Sequence, residues 1–285
     1  MERGRVSVGG SGGGRGGKVA LGGIGGVVVL VVALLLGGDP GELLSQLGGV
    51  DGSSQGGSGE AGTLEGCETE EDANSKVDCR IGFTVSSLDT VWQSQLAAQT
   101  GVAYVRPAVN IFTDSTFTGC GSATSAVGPF YCPANQTIYI DTSFYDTLER
   151  QLGAGGDFAR YYVLAHEYGH HIQTITGISQ QIRSAQQQNP SRRNQLQVLM
   201  ELQADCYAGV WAGKNSDLIE PGDFEEGMEA AAAIGDDAIS ERMGGRASPE
   251  SFTHGTSEQR MEALRLGMRS GDDTTCDRYF APESF

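Results

Sequence analysis

Phe158-Ala-Arg-Tyr-Tyr-Val-Leu-Ala-His166-Glu-Tyr-Gly-His170-His-Ile-Gln-Thr-Ile-Thr176 is the stretch on which the reading of this chain turns. Tyr161, Val163, Leu164 and Ile172 are spaced for one buried side of a helix, and Gly177 supplies a stop. Positions i and i+4 share a helix face, so His166 and His170 can aim two imidazoles at one ion. Neutral imidazole suits zinc, which takes a tetrahedral ligand set. Glu167 sits one residue further round, rotated by roughly 100°. It stands beside the ion, where it can take a proton from a water whose pKa a metal lowers to about 7. The pattern is HExxH, and three of the chain's four histidines fall within His166–His171. His171 lies off the ligand face and reads as a packing or supporting residue.

A catalytic zinc keeps one open position and therefore needs a third protein ligand. A further histidine at the metzincin spacing fails, because 173 is Gln and 176 is Thr. The other source is a carboxylate from a later helix. Leu196 to Trp211 is long, mostly apolar and free of proline, with Glu201 and Asp205 inside it. Two acids four residues apart on one face repel each other, and a metal removes that penalty. Glu201 is the candidate ligand. Asp205 is placed to accept from the far nitrogen of a ligand histidine. The bland reading, a solvated acidic face, is opposed by the apolar flanks Leu199, Met200, Leu202, Ala204 and Cys206.

HEYGH followed by Glu201-Leu-Gln-Ala-Asp205 resembles the gluzincin metallopeptidases, and among them the bacterial membrane-anchored neutral zinc metallopeptidases. Gly128-Pro-Phe-Tyr-Cys-Pro, Thr137-Ile-Tyr-Ile-Asp141 and Phe252-Thr-His254-Gly-Thr-Ser-Glu-Gln-Arg260 carry the resemblance further, over roughly residues 67–285. It implies one catalytic Zn2+ on His166, His170 and Glu201, Glu167 as the general base, and a peptide or protein substrate. It also implies that His254, or Arg260, steadies the oxyanion, although Arg260 could instead orient a carboxylate. The plain alternative for both is a helix N-terminus at Thr256-Ser257-Glu258 with no catalytic part. In related peptidases a strand near the metal helix pairs with the substrate backbone. Gly121 to Gly128 is the candidate here, with an ordinary disulfide-closed loop as its rival. Two other functions stay open: a non-catalytic exported zinc module that binds a partner, and a zinc hydrolase acting on non-peptide bonds.

The net charge of −17 is unevenly spread. Residues 1–36 carry four basic side chains and one acid; the remainder carries 15 basic and 35 acidic. So acidic a domain repels nucleic acid, and no phosphate-binding patch is visible. Six cysteines, Cys67, Cys79, Cys120, Cys132, Cys206 and Cys276, all follow the apolar segment. An even count fits a disulfide framework in an oxidising compartment, with fifteen connectivities possible. Local pairing suggests 67–79 and 120–132, leaving 206–276. No residue pattern specifies an oligomeric state.

Val19 to Gly38 contains no charged residue. Twenty residues at about 1.5 Å rise reach about 30 Å, the thickness of a hydrocarbon core. Arg3, Arg5, Arg15 and Lys18 precede it and acids follow, which predicts a single-pass anchor, N-terminus in and domain outside; the resemblance implies that the membrane is a bacterial cytoplasmic one. A cleaved signal peptide is the rival, but no small-x-small site follows the run. The expected organisation is a basic Gly-rich tail (1–18), an anchor (19–38), a flexible linker (39–66) and one zinc domain (67–285). Helices are expected over Leu88–Thr100, Asp141–Leu152, the two metal-bearing stretches, and after Pro221 and Thr253. Strands are expected within Ala103–Thr113, at Phe130–Tyr131 and over Gln136–Ile140, with a polar connection through Gln186–Asn194. Few strands and many helices make an α+β fold, mostly helical with a small β-sheet.

Overall fold

A computed structural model describes residues 5–9, 62–64, 66–99, 101–216, 219–246 and 248–280. The expected anchor, 19–38, lies outside the described residues, as do most of the tail and linker. Among the described residues no helix is long and apolar enough to cross a membrane. Two units make up the chain: residues 1–82 with 108–144, and residues 83–107 with 145–285. The α+β expectation holds, with helices outnumbering strands.

The first unit is built on a sheet. Its strands are β1 (Val6–Val8), β2 (Gly62–Thr63), β3 (Ala108–Phe112), β6 (Phe130–Cys132) and β7 (Thr137–Asp141), in the order β2-β1-β3-β7-β6. β7 is buried at every position, and β1, β3 and β7 run parallel. Parallel strands of Val and Ile are typically covered on both faces, which matches the AVNIF and TIYID runs. β6 folds back antiparallel onto β7 through a tight turn in which Gln136 takes a φ of 51°. Phe130 then stacks on Tyr139 at 5.1 Å, and Phe112, Cys132 and Tyr139 form a buried cluster. A separate hairpin joins β4 (Ser115–Thr118) and β5 (Gly121–Thr124). Disulfides Cys67–Cys79 and Cys120–Cys132 close two short loops, as local pairing suggests.

Two strands fall where none is expected. β1 lies in the tail and β2 in the linker, so neither stretch is wholly flexible. The sequence hint was the β-branched Val6-Ser-Val8 among glycines; Val6 is buried, and Val109 N donates to Arg5 O. The pairing has a topological consequence. Residues 6–8 and 108–112 share one sheet and therefore one side of any membrane. The 121–128 stretch also differs from a simple loop: its first half is β5, paired in register with β4.

Helix α1 (Glu70–Ser75) follows a capping box in which Thr69 and Asp72 satisfy each other's backbone. α2 spans Val77–Gln99, starting eleven residues before the expected Leu88. Its first turns, Val-Asp-Cys-Arg-Ile-Gly-Phe, mix β-branched residues and a glycine and carry little helical propensity of their own. α3 is Ser143–Arg150, and Asp141 caps it by accepting from Ser143 N at 2.9 Å.

The second unit is helical: α4 (Asp157–Ile175), α5 (Ile178–Gln188), α6 (Arg193–Lys214), α7 (Asp223–Ala233), α8 (Asp236–Arg242) and α9 (Ser257–Ser270). α5 extends through part of the expected polar connection. Its glutamines favour helix, and Ile182 anchors it in the core. α6 is the central helix, and glycines decide how closely its neighbours approach. A Cβ on Gly209 would lie 2.1 Å from the carbonyl oxygen of Leu264, and one on Gly267 would lie 2.0 Å from that of Cys206. α6 and α9 thus cross with backbones in contact. Gly169 on α4 likewise meets Ala204 of α6. Cys206–Cys276 ties the C-terminal turn (residues 273–280) to α6.

Candidate metal centre

The two contacts of α6, with α4 and with α9, bring the site together. α4 presents His166 and His170 on one face, with ring centroids 4.7 Å apart and planes nearly perpendicular. α6 delivers Glu201, whose Oε2 lies 3.2 Å from His166 Nε2 and 3.6 Å from His170 Nε2. One ligand atom from each residue fits within a 4.8 Å span. Two ligands of a tetrahedral zinc about 2.0–2.1 Å from the ion stand about 3.3 Å apart, so these two edges match the ion that the donor types favour. Gln197, one turn before Glu201, donates to its other oxygen at 3.0 Å.

The protonation pattern fits a cation's place. Burial alone would lower the His166 imidazole, but the charge and hydrogen bond of Asp205, with help from Glu201, push it up to about 10. His170 is raised against burial by Glu201. Burial would raise the Glu201 carboxyl; His170 and His166, and the charge of His254, hold it well below the usual range. A divalent metal held here would meet the negative charge of the buried carboxylates.

Asp205 is fully buried and lies directly behind the centre. His166 Nδ1–H and Tyr162 OH both donate to its Oδ1 at 2.7 Å. Arg260 donates from Nε to Oδ2 at 2.8 Å and from Nη2 to Oδ1 at 2.9 Å. Burial would raise the Asp205 carboxyl, yet Arg260 and His166 bring it down to about 2. Arg260 is 2% exposed and also donates to Tyr162 OH and Ile234 O. Its guanidinium is committed to Asp205, so it orients a carboxylate; the oxyanion role is not the one its geometry offers. Bidentate pairing of this kind holds a buried carboxylate in one orientation.

His254 precedes α9, whose N-cap is Thr256 in a capping box with Gln259. Its Nδ1 is 3.1 Å from Asp236 Oδ1. The backbone N–H groups of Thr253, His254 and Gly255 donate to Asp236 Oδ2 at 2.8, 2.7 and 3.0 Å. A buried carboxylate therefore grips the loop and turns the ring. Among the described residues Nε2 has no hydrogen-bond partner, and the side chain is about a quarter exposed. Glu167 is 8% exposed on α4, one position round from His166. Tyr145 OH is buried without a partner among the described residues. Its ring lies under the Arg160 guanidinium at 5.7 Å. Burial pushes the phenol well up, Arg160 opposes, and the charge of Glu167 adds to the rise. His171 faces away: Nε2 is 2.5 Å from Val105 O, and the ring packs edge-on to Tyr104 and Tyr168.

The structure thus gathers His166, Glu167, His170, Glu201 and Asp205, with Arg260 behind them and His254 close enough for its charge to act on Glu201. Tyr162, Gln197, Asp236 and Tyr145 escaped the sequence reading. Tyr162 had a signal, four residues before His166 on the same face. Asp236 had none, since eighteen residues separate it from His254.

A helical HExxH pair completed by a glutamate from a second helix resembles the sites of metal-dependent hydrolases. The match extends beyond the site: a family model described as "Putative neutral zinc metallopeptidase" covers residues 1–279, and the chain belongs to that family. It is 46% identical over 198 residues to the uncharacterized protein YpfJ of Escherichia coli (strain K12), covering 68% of this chain and 69% of the relative. It is 42% identical over 266 residues to the uncharacterized protein Mb2605 of Mycobacterium bovis, covering 88% and 86%. No solved structure matches the chain.

Proposed function

We propose that this protein is a zinc-dependent endopeptidase acting outside the cytoplasmic membrane. The observation that carries the reading is Glu167, a nearly buried carboxylate next in sequence to a three-residue cluster able to hold a metal. A purely structural metal needs no such neighbour. When bound at His166, His170 and Glu201, zinc supplies a Lewis acid that polarises a carbonyl and lowers the pKa of a water. Glu167 takes the proton of the attacking water and passes it to the departing amine. With hydrogens on both ring nitrogens, His254, turned by Asp236, donates from Nε2 to the oxygen that gains charge as the carbonyl is attacked, where a donor is worth most. Asp205, backed by Arg260, holds His166 with Nδ1 protonated and Nε2 toward the cluster.

Export is supported by the oxidised state of all six cysteines. Residues 19–38 support attachment to the membrane, subject to the constraint that β1 sets.

The test is the Glu167→Gln protein, analysed for zinc and for cleavage of a peptide library. We expect one zinc per chain retained and cleavage lower by about a thousandfold or more, the loss expected when a group acts chiefly in the transition state. Equal behaviour of wild type and variant would leave a non-catalytic zinc module.

A further inference from the structure

The two ligand histidines are supported in different ways. His166 leans on a charged carboxylate and its arginine. His170 leans on a neutral amide: its Nδ1 is 2.9 Å from Gln173 Oε1, one turn along α4. Gln173 is fully buried, and its Nε2 donates to Met200 O at 2.7 Å and to Gln203 Oε1 at 3.1 Å. Gln203, also fully buried, donates from Nε2 to Cys276 O at 3.4 Å. Cys276 is held there by its disulfide to Cys206, three residues beyond Gln203 on α6.

The polarity of this chain follows from its far end. Backbone carbonyls only accept, so the carbonyls of Cys276 and Met200 require amide nitrogen to face them. Gln203 must then turn its oxygen toward Gln173, and Gln173 must turn its oxygen toward His170. An oxygen there demands a hydrogen on Nδ1. The bare nitrogen of His170 is consequently Nε2, the atom that faces Glu201 Oε2.

We propose that Gln173 is the positioning residue for His170, and that Gln203 and the Cys206–Cys276 disulfide set its polarity. The amide relay selects the tautomer that binds metal through Nε2, and does so without adding charge beside the site. Asp205, Glu201 and Glu167 already make that interior acidic.

The proposal rests on His170 being a zinc ligand, and the experiment separates the two. Zinc affinity is measured by chelator competition on the full chain for wild type, His170→Ala, Gln173→Met and Gln173→Glu. Both substitutions at 173 remove the same donors to Met200 O and Gln203 Oε1, and only Glu keeps an acceptor for Nδ1. We expect Gln173→Met to weaken zinc by about 10- to 100-fold, and Gln173→Glu to stay within roughly threefold of wild type. Equal weakening of the two, or none, overturns the proposal. Unchanged zinc binding in His170→Ala overturns the ligand assignment itself. Should Gln173→Met fail to fold, Gln203→Met carries the test, since it touches no ligand. A weakening of roughly three- to tenfold is expected there, and an unaltered affinity counts against the relay.

Discussion

The sheet unit and the helical unit meet the cost of burying polar groups in opposite ways. In the sheet unit backbone groups pair in strand ladders, the buried cluster is aromatic and sulfur-bearing, and two disulfides each join cysteines with a sequence separation of 12. In the helical unit Glu201, Asp205, Asp236 and Arg260 are all buried, and the one disulfide reaches across 70 residues. Helices satisfy their own backbones, which frees the spaces between them for side-chain chemistry. The price is a set of charges that survive only in company. The glycine contacts of α6 make that company possible by letting Asp205 meet His166 on one side and Arg260 on the other.

The largest contrast to test is all-or-none and concerns the sheet. β1 pairs with β3, so a cysteine at Ser7 and one at exposed Phe117 lie on the same side of a membrane. In intact cells or oriented vesicles, a membrane-impermeant thiol reagent should label Ser7→Cys and Phe117→Cys from the same face, on a background where the native cysteines stay oxidised. Labelling from opposite faces would mean that residues 19–38 cross once and that β1 does not pair there.

Next in size is the buried ion pair of the helical unit. Removing one partner of such a pair costs about 3–5 kcal/mol, because the other charge is stranded. Arg260→Met should lower the unfolding free energy, measured by denaturant titration, by that order and weaken zinc, while Asp205→Leu with Arg260→Met should recover part of the stability. Strict additivity in the double-mutant cycle would show that the two side chains do not act as a unit.

The smallest effect is a pH dependence of the metal-free protein. Asp273, in the C-terminal turn, is raised from 3.8 to about 6, chiefly by burial. The folded form then binds more protons than the unfolded chain between those values, so stability falls as pH rises from about 4 to 6. Asp205 has the opposite sign. Its carboxyl is lowered to about 2, so its contribution is present above 3.8 and is lost as pH falls toward 2. Melting temperature should peak near the ordinary carboxylate pKa, and Asp273→Asn should flatten the limb on its alkaline side. An unaltered limb would remove Asp273 from the account.

Legibility followed the same divide. α4 and α6 could be read because long apolar periodicity survives without tertiary help, and the His166/His170 and Glu201/Asp205 pairs sit at the i,i+4 spacing that a helix converts into one face. α1 and the start of α2 were harder, being short or poor in helical propensity. β1 and β2 contain three and two residues, and nothing local makes so brief a segment a strand; β1 needs β3, a hundred residues away. Arg260 illustrates the limit within the site. Its position near the histidine loop was visible, but only the crossing of α9 over α6 turns its guanidinium onto Asp205.

What the sequence determined by itself was the candidate donor set: two imidazoles and a carboxylate in helices, a second carboxylate beside them, and six cysteines whose nearest-neighbour pairing leaves the third bridge. Local spacing suffices for that, because an α-helix turns a separation of four residues into a shared face. The tertiary structure decided which supports stand behind each donor. Asp236 behind His254, Arg260 behind Asp205, and Gln173 with Gln203 behind His170 come together only through packing. Hydrogen bonds act over about 3 Å, and contacts of that length between distant residues are set by how closely helices approach, here by glycines at the crossings of α6.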